Sequence, residues 1–280
     1  MSESVASRGP ADAMTLPHEL EAAGFVPRAD GPVLPVGLLN WNTLVEDRAG
    51  RLYCLRVPRP GGEHLVVGYL GALYAAMIRS PVPVRLRGIP AQAEFARLCE
   101  SRGLAVPVVV AVGTDWMLSR YVEGRRLSDT LADEDGLRCI GAFLEEMFHA
   151  HRQGIVLADR WGGNEIVRRS GRITFLDFDV DTGLEPDDGG RELDLAVALR
   201  TCLLWSGNKQ RAVQAVASVL ATEEEFSRLY DREVLAVYLG NACAFYAAAD
   251  APSLAHASPS REEHAATNAA VRKLLGAIAP

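Results

Sequence analysis

The feature that most constrains the fold is a stretch in the middle of the chain, where two β-prone segments are each bounded by a polar residue. Asn164 precedes the first segment and its turn, 165–171, and Asp177 ends the second, 172–176. Two such segments joined by a turn that contains Gly171 predict a β-hairpin. The hairpin would hold Asn164 and Asp177 at its open end.

Asp159 lies five residues before Asn164, after a predicted long helix, 136–153, and a loop that starts at Gly154. Phosphoryl transfer from a magnesium nucleotide needs one carboxylate for the attacking hydroxyl, and an Asn and an Asp for the metal. The spacing therefore predicts Asp159 as the catalytic base, with Asn164 and Asp177 as Mg²⁺ ligands.

Turn chemistry is the alternative interpretation of two of these residues. Asp159 alone could cap the next segment, and Asn164 alone could be a turn residue that follows two glycines. Asp177 is harder to explain in this way, because it comes directly off an apolar strand, where a carboxylate is costly unless it is paired or bound to a metal.

Composition narrows the class of protein. The 280 residues are 49% apolar and 23% charged, which suits one large domain or two small lobes that share a cleft. A net charge of −7 without a basic patch argues against nucleic-acid binding, and suits a cationic substrate better. No run approaches the ~18 apolar residues of a membrane span.

The start of the chain and the cysteines predict a location. The first residues lack the apolar core of a secretory signal. The five cysteines are scattered in apolar stretches, without metal-ligand spacing, and fit reduced thiols. A cytoplasmic protein is therefore expected.

Periodicity predicts an α+β chain in three parts. These are a flexible arm over 1–31 with a short helix near 17–23, a β-rich nucleotide-binding lobe over 32–123, and a mostly helical catalytic and acceptor-binding lobe over 124–280. The main predicted elements are a hairpin at 41–57, a helix or partial strand at 64–78, a helix at 91–102, strands at 106–112 and 116–122, and four helices beyond 192.

Arg56 stands on the second strand of the first hairpin, and its neighbours Leu55 and Val57 would face the core. Arg56 would then lie on the other side of the sheet, where it can pair with nucleotide phosphates and with Glu94 on the following helix. Glu100 is a rival for that pairing. A surface arginine with its stem on apolar side chains is the alternative.

Other motifs carry less chemistry. His149 and His151 point to different helix faces, so they do not form a helical metal pair, and at least one is expected to be structural beneath the loop at Asp159. The sequence contains no GxxxxGK[ST] or GxGxxG string, which disfavours P-loop and Rossmann nucleotide binding.

The order of these pieces resembles the aminoglycoside phosphotransferase and choline kinase group of the protein-kinase-like superfamily. In that group His-Gly-Asp is followed by an Asn five residues later, by a strand that ends in Ile-Asp-Phe or Ile-Asp-Trp, and by Asp-Leu-Ala. The matching segments here are Leu157-Ala-Asp159, Asn164, Leu176-Asp-Phe178 and Asp194-Leu-Ala196. Towards the N-terminus they are Gly37-Leu-Leu-Asn40, Tyr53-Cys-Leu-Arg-Val-Pro58 and a hinge at Tyr121-Val-Glu-Gly124.

The resemblance implies a bilobal protein-kinase-like fold that binds ATP and Mg²⁺ between its lobes. It assigns Asp159 as base and Asn164 and Asp177 to the metal. It also implies nucleotide contacts, by Arg56, Glu94, Asn40 and Tyr121.

The acceptor implied by the resemblance is a hydroxyl of a small molecule of amino-sugar, aminoglycoside or amino-alcohol type. Leu157-Ala158 replaces the group's His-Gly, which is a departure. Two other functions stay open: a kinase that acts on a protein or a lipopolysaccharide sugar, and a pseudokinase that binds nucleotide without turnover.

Overall fold

The computed structural model describes residues 16–28, 34, 37–222, 226–248 and 259–278. The strands are β1 Val26–Pro27, β2 Asn40–Glu46, β3 Leu52–Pro58, β4 Arg85–Leu86, β5 Val109–Val112, β6 Met117–Arg120, β7 Arg125–Arg126, β8 Glu165–Val167, β9 Ile173–Phe175 and β10 Val180–Asp181. The α-helices are α1 His18–Ala22, α2 Glu63–Ile78, α3 Ile89–Ser101, α4 Leu127–Leu131, α5 Arg138–Arg152, α6 Gly190–Trp205, α7 Lys209–Thr222, α8 Phe226–Leu229, α9 Arg232–Ala248 and α10 Arg261–Ile278.

A five-stranded antiparallel sheet, in the order β1-β2-β3-β6-β5, forms the first half of the fold. The predicted hairpin is β2 and β3, and its register places Asn42 opposite Arg56. Residues alternate between the two faces of a strand. Leu55 is therefore fully buried in the small core beneath the sheet, while Arg56 on the other face lines a cleft.

Part of the predicted N-terminal arm belongs to this sheet. Leu16 and Leu20, beside and within α1, are buried in the same core, and Val26 of β1 pairs with Glu46. Residues 16–28 therefore form a packed edge of the sheet and not a flexible arm. Residues 1–15 and 29–31 of the predicted arm lie outside the described residues.

Helix α2 occupies the segment that the sequence left between helix and strand. Its residues are apolar almost all round, so their periodicity distinguishes the two poorly. The buried residues Val66, Leu70, Leu73, Tyr74 and Met77 recur at helical spacing. The helix packs against α9 and α6, which explains why so apolar a segment is stable here.

The remaining helices form the larger core. Ile140, Leu144 and Met147 of α5 are fully buried, as the amphipathic pattern predicted, and α6 is buried almost all round. The helices predicted beyond residue 192 are α6, α7, α9 and α10. All five cysteines are free thiols, as expected. Among the helices described, none is long and apolar enough to cross a membrane.

Two small sheets position the middle of the chain. Strands β8 and β9 are the predicted hairpin, with Glu165 opposite Phe175, and β7 adds a third strand. Strand β10 pairs with β4 just before α3, with Val180 opposite Leu86. The residues after Asp177 are therefore paired to the segment that leads into α3.

Candidate active site

A cleft of about 1000 Å³ lies between the five-stranded sheet and the helices. Six of the seven residues predicted to form the site line it: Asn40, Arg56, Tyr121, Asp159, Asn164 and Asp177. These residues come from β2, β3, the segment after β6, the loop after α5, and the two ends of the β8–β9 hairpin. The fold thus brings together residues that are up to 137 positions apart in sequence, from Asn40 to Asp177.

Asp159 and Asn164 are in direct contact across the loop between them. The amide nitrogen Nδ2 of Asn164 donates to the backbone oxygen of Asp159 and to its Oδ2, each at 3.0 Å. The backbone N–H of Asp159 donates to Tyr74 Oη at 3.3 Å. Burial raises the pKa of Asp159 to about 6; the charge of Arg160 opposes this shift and that of Asp177 adds to it.

The backbone before Asp159 is in the left-handed region. Ala158 has φ +54° and Asp159 has φ +40°, an uncommon conformation for residues other than glycine. The family that the sequence resembles has glycine at the position of Ala158. The structure gives a physical reason for that preference, because glycine adopts positive φ without a steric penalty.

Two alanine-to-glycine changes test this conformation. Ala158 and Ala150 are both buried, but Ala150 lies within α5. Ala150→Gly should destabilise the protein by about 2 kcal/mol, from a lost methyl group and from helix propensity. In Ala158→Gly the relief of left-handed strain, about 1–2 kcal/mol, offsets the methyl loss. Urea unfolding of both variants measures the difference; equal destabilisation would contradict it.

Asp177 also has a left-handed backbone, with φ +57°, directly after β9. Arg56 Nη1 donates to its Oδ1 at 2.6 Å. Burial acts to raise the pKa of Asp177, but the charge and hydrogen bond of Arg56, together with Asp179 and the charge of Arg160, hold this pKa below its ordinary value. Asp177 is therefore an anion within the cleft.

Asp179 forms a close pair with Asp177. Burial and the charge of Asp177 raise the pKa of Asp179 to about 8. Asn40 Nδ2 donates to Asp179 Oδ2 at 3.1 Å, so the predicted nucleotide contact Asn40 holds an acidic side chain in this structure.

The side chains of Asn164, Asp177 and Asp179 suit a magnesium ion. Magnesium prefers oxygen ligands and is bound by one or two carboxylates that substrate phosphates and water complete. Among the described residues, the side-chain hydrogen bonds of Asn164 use its nitrogen, which leaves its carbonyl oxygen available to a metal ion. Two carboxyl groups as close as Asp177 and Asp179 repel when both are ionised, and a divalent cation removes that repulsion.

Gln92, and not Glu94, pairs with Arg56 from α3. Arg56 donates to Gln92 Oε1 at 3.1 Å and to Asn42 Oδ1 at 3.3 Å. Gln92 is buried on the face of α3 that packs on the protein, whereas Glu94 and Glu100 are exposed. A shift of two residues turns a helical side chain away from a shared face. The predicted Arg56–Glu94 pair was therefore wrong in this structure.

Arg160 is a site residue that sequence reasoning missed. It is fully buried and donates to the backbone oxygens of Leu176 at 3.0 Å and Asp177 at 2.7 Å. It also pairs with buried Glu165 at 3.3 Å, and Glu165 accepts the backbone N–H of Gly162 at 2.8 Å. Arg160 therefore joins the loop at Asp159 to the strand end at Asp177. The sequence offered no clear signal for Arg160, because the same segment also contains Arg168, Arg169 and Arg172.

His151 supports the loop from beneath, as predicted for one of the two histidines. It is fully buried, and its Nε2 lies 3.0 Å from Asp194 Oδ2. The same Asp194 oxygen accepts the backbone N–H of Leu157 at 2.7 Å. A histidine on α5, together with Asp194 on α6, therefore anchors the loop although residue 157 itself is leucine.

Comparisons with known proteins identify similar structures but no relative by sequence. No protein-family model and no curated protein matches the chain. Among solved structures, the Rio2 kinase from Chaetomium thermophilum is similar over 91% of this chain and 75% of that one, with a TM-score of 0.50 at 12% identity.

Other solved structures are similar at lower TM-scores, and two of them are kinases of small molecules by their descriptions. An ethanolamine kinase from Plasmodium vivax has a TM-score of 0.47 at 12% identity, over 95% of this chain and 84% of that one. An aminoglycoside-3'-phosphotransferase of type VIII has a TM-score of 0.45 at 17% identity, over 80% and 99%. The likeness to the Rio2 kinase, with the five-stranded sheet and the helices around it, shows that the chain has the bilobal α+β protein-kinase-like fold that the sequence predicted.

Proposed function

We propose that the chain is an ATP-dependent phosphotransferase that moves the γ-phosphate to a hydroxyl group of a small molecule. The observation that carries the proposal is the convergence of Asp159, Asn164 and Asp177 on one cleft, with Asn164 bonded to Asp159. The bond places the proposed base next to an amide, and the Asp177 carboxylate lines the same cleft; an amide and a carboxylate suit Mg²⁺, as phosphoryl transfer requires. The kinase-like fold supports the proposal. The resemblance to aminoglycoside phosphotransferases and choline kinases rests on the motifs alone.

Each residue has a separate task in this proposal. Asp159 accepts the proton of the acceptor hydroxyl, and Asn164 orients the carboxylate of Asp159 through its hydrogen bond. Asn164 and Asp177 would hold Mg²⁺, which supplies neutralisation of the phosphate charge when it is bound. Arg56 contributes a fixed positive charge to the phosphate end of the cleft, and Tyr121 lies in the segment after β6 where the adenine would bind. Positioning and charge neutralisation account for most of the rate.

The amino-type acceptor expected from the sequence depended on acidic residues after Asp177. In the structure Asp181 pairs with Arg87 at 3.4 Å and Asp187 pairs with Arg191 at 3.0 Å. Neither is among the described residues that line the cleft, whereas Asp179 does line it. We therefore propose a small hydroxyl compound as the acceptor, and Asp181 and Asp187 do not determine its charge.

The test is transfer of labelled phosphate from [γ-³²P]ATP to a panel of neutral, cationic and anionic hydroxyl compounds, with a protein substrate and a lipopolysaccharide preparation as further arms. We expect transfer to a small molecule that requires Mg²⁺ and stops when EDTA is added. Failure to bind ATP with Mg²⁺ would refute the proposal, and transfer to protein or lipopolysaccharide alone would correct the acceptor class.

The acidic limb of the pH profile gives a second test. A general base must be ionised, and the pKa of Asp159 is raised to about 6. We expect kcat/KM, which reports the free enzyme, to fall about tenfold per pH unit below that value. Bound Mg²⁺ adds positive charge, so the limb in kcat should lie at lower pH. The residual activity of Asp159→Asn should lack this limb; an identical limb there would assign it to another group.

Nucleotide binding without turnover is the second candidate. It is favoured by the 2.6 Å contact between Arg56 and Asp177, which occupies one oxygen of a predicted metal ligand, and by neutral Gln92 where an acid was expected. Magnesium-dependent ATP binding with neither hydrolysis nor transfer would favour this candidate over the first.

A further inference from the structure

A buried arginine on α6 also lines the cleft. Arg200, on α6, is only 6% exposed and contributes to the cleft wall. Its chain neighbour Thr201 donates through Oγ1 to the backbone oxygen of Arg160 at 2.8 Å, one residue from Asp159. Helix α6 therefore contacts the loop that carries Asp159, and the proposed mechanism of phosphoryl transfer does not use Arg200.

The partners of Arg200 are neutral. Nη1 donates to Asn268 Oδ1 at 3.0 Å, and Nη2 lies 3.0 Å from His264 Nδ1. The guanidinium carbon lies 4.0 Å from the centre of the Tyr246 ring. Burial, reinforced by the charge of Arg200, lowers the pKa of His264, so this histidine is a neutral acceptor.

The charge of Arg200 has no carboxylate partner among the ion pairs of the described residues. Its buried Nε also has no hydrogen-bond partner there. A buried charge without a counter-ion is costly, because it has lost its hydration and gained no opposite charge. By contrast, Arg56, which also lines the cleft, is paired with Asp177, and buried Arg160 is paired with Glu165. Arg200 is therefore left with an unsatisfied preference for an anion.

Two tyrosine hydroxyls continue the same wall towards Asp159. Tyr69 Oη and Tyr246 Oη are 3.0 Å apart, and both residues line the cleft. One hydroxyl of such a pair donates to the other, which leaves one O–H free to donate to a ligand. Tyr69 lies on α2, the helix whose Tyr74 accepts the backbone N–H of Asp159.

We propose that Arg200, with Tyr69 and Tyr246, binds an anionic group of the acceptor, a carboxylate or a phosphate ester, while the acceptor hydroxyl meets Asp159. The inference rests on the proposed function for the role of the hydroxyl. It identifies the acceptor as an anionic or zwitterionic hydroxyl compound. Arginine suits this task because its planar group donates in parallel to two oxygens of one anion.

A matched series of three-carbon probes tests the inference without requiring turnover. Glycerol is neutral, 3-amino-1,2-propanediol is cationic, D-glycerate carries a carboxylate and glycerol 3-phosphate carries a phosphate. Their dissociation constants for the full chain are measured by calorimetry. We expect one or both anions to bind about 10- to 100-fold more tightly than glycerol, which corresponds to charge-assisted hydrogen bonds. The two anionic probes distinguish carboxylate from phosphate.

Two variants assign the preference to Arg200. Arg200→Gln should abolish it. Asn268→Asp keeps the arginine but places a carboxylate beside it, so it should also abolish the preference even if Arg200→Gln does not fold. Asn241→Asp is a matched control, because Asn241 likewise accepts from an arginine, Arg79 at 3.1 Å, and donates to a backbone oxygen, that of Met77 at 2.8 Å. Neither Asn241 nor Arg79 lines the cleft, so this variant should keep the preference.

Equal affinity for the four probes, or an anion preference that survives in both Arg200→Gln and Asn268→Asp, would overturn the inference and leave Arg200 as a link between α6 and α10. MgATP binding is measured on the same proteins. A wild-type chain that prefers anions but does not bind MgATP would refute the proposed function alone, whereas MgATP-dependent transfer without anion preference would refute only this inference.

Discussion

Replacing Asp159 with asparagine is expected to reduce phosphotransfer by about 10²- to 10⁴-fold, the usual contribution of a positioned general base. The amide has nearly the same shape, and its oxygen can still accept the hydrogen bond from Asn164 that the carboxylate accepts at 3.0 Å. It cannot take a proton from the acceptor hydroxyl. The loss should therefore appear in kcat, with little change in the affinity for MgATP.

Asp129→Asn is the control for that experiment. Asp129 also lines the cleft, but it is exposed and contacts neither Asn164 nor Asp177 among the described hydrogen bonds. Its replacement removes the same charge from the cleft and should leave kcat within about twofold, as for most surface changes. Full phosphotransfer by Asp159→Asn would rule out Asp159 as the base.

The sequence predicted the parts of this site that depend on local patterns. The roles of Asn164 and Asp177 could be predicted because Asn164 directly precedes one short strand and Asp177 directly follows the next. Pairing of the two strands brings the two ends of the hairpin together. In the first hairpin, side chains alternate between the two faces of each strand, which predicted that Arg56 lies on the face away from the core. The long helix before Asp159 followed from its amphipathic period.

The parts that were missed depend on helix phase and on contacts between distant elements. The choice of Glu94 over Gln92 came from looking for an acid, whereas the burial of Gln92 decides which side chain reaches Arg56. His151, Asp194 and Leu157 meet only when α5 and α6 pack. Arg200 lies on α6, which is buried almost all round, so no hydrophobic period marks the face that meets the cleft.

Arg160 carries the second large expected effect, which is on stability. Arg160→Met should lower the free energy of unfolding by about 3–5 kcal/mol, the usual result when one partner of a buried ion pair is removed. Methionine keeps much of the volume but leaves Glu165 buried without its counter-charge, and it removes the donors to Leu176 and Asp177. The strand end that holds Asp177 would then lose its link to the loop of Asp159.

The pH dependence of this loss identifies its cause. Burial raises the pKa of Glu165 to about 7, and the charge of Arg160 opposes that rise, so the pKa should rise further in Arg160→Met. A carboxyl whose pKa is higher in the folded than in the unfolded state loses stability as pH rises between the two values. Urea unfolding should therefore show a larger destabilisation at pH 8 than at pH 6. Adding Glu165→Gln, whose side-chain oxygen can still accept the N–H of Gly162, should remove the extra loss at pH 8. A loss in Arg160→Met that is the same at both pH values would assign it to the backbone hydrogen bonds and not to the unpaired Glu165.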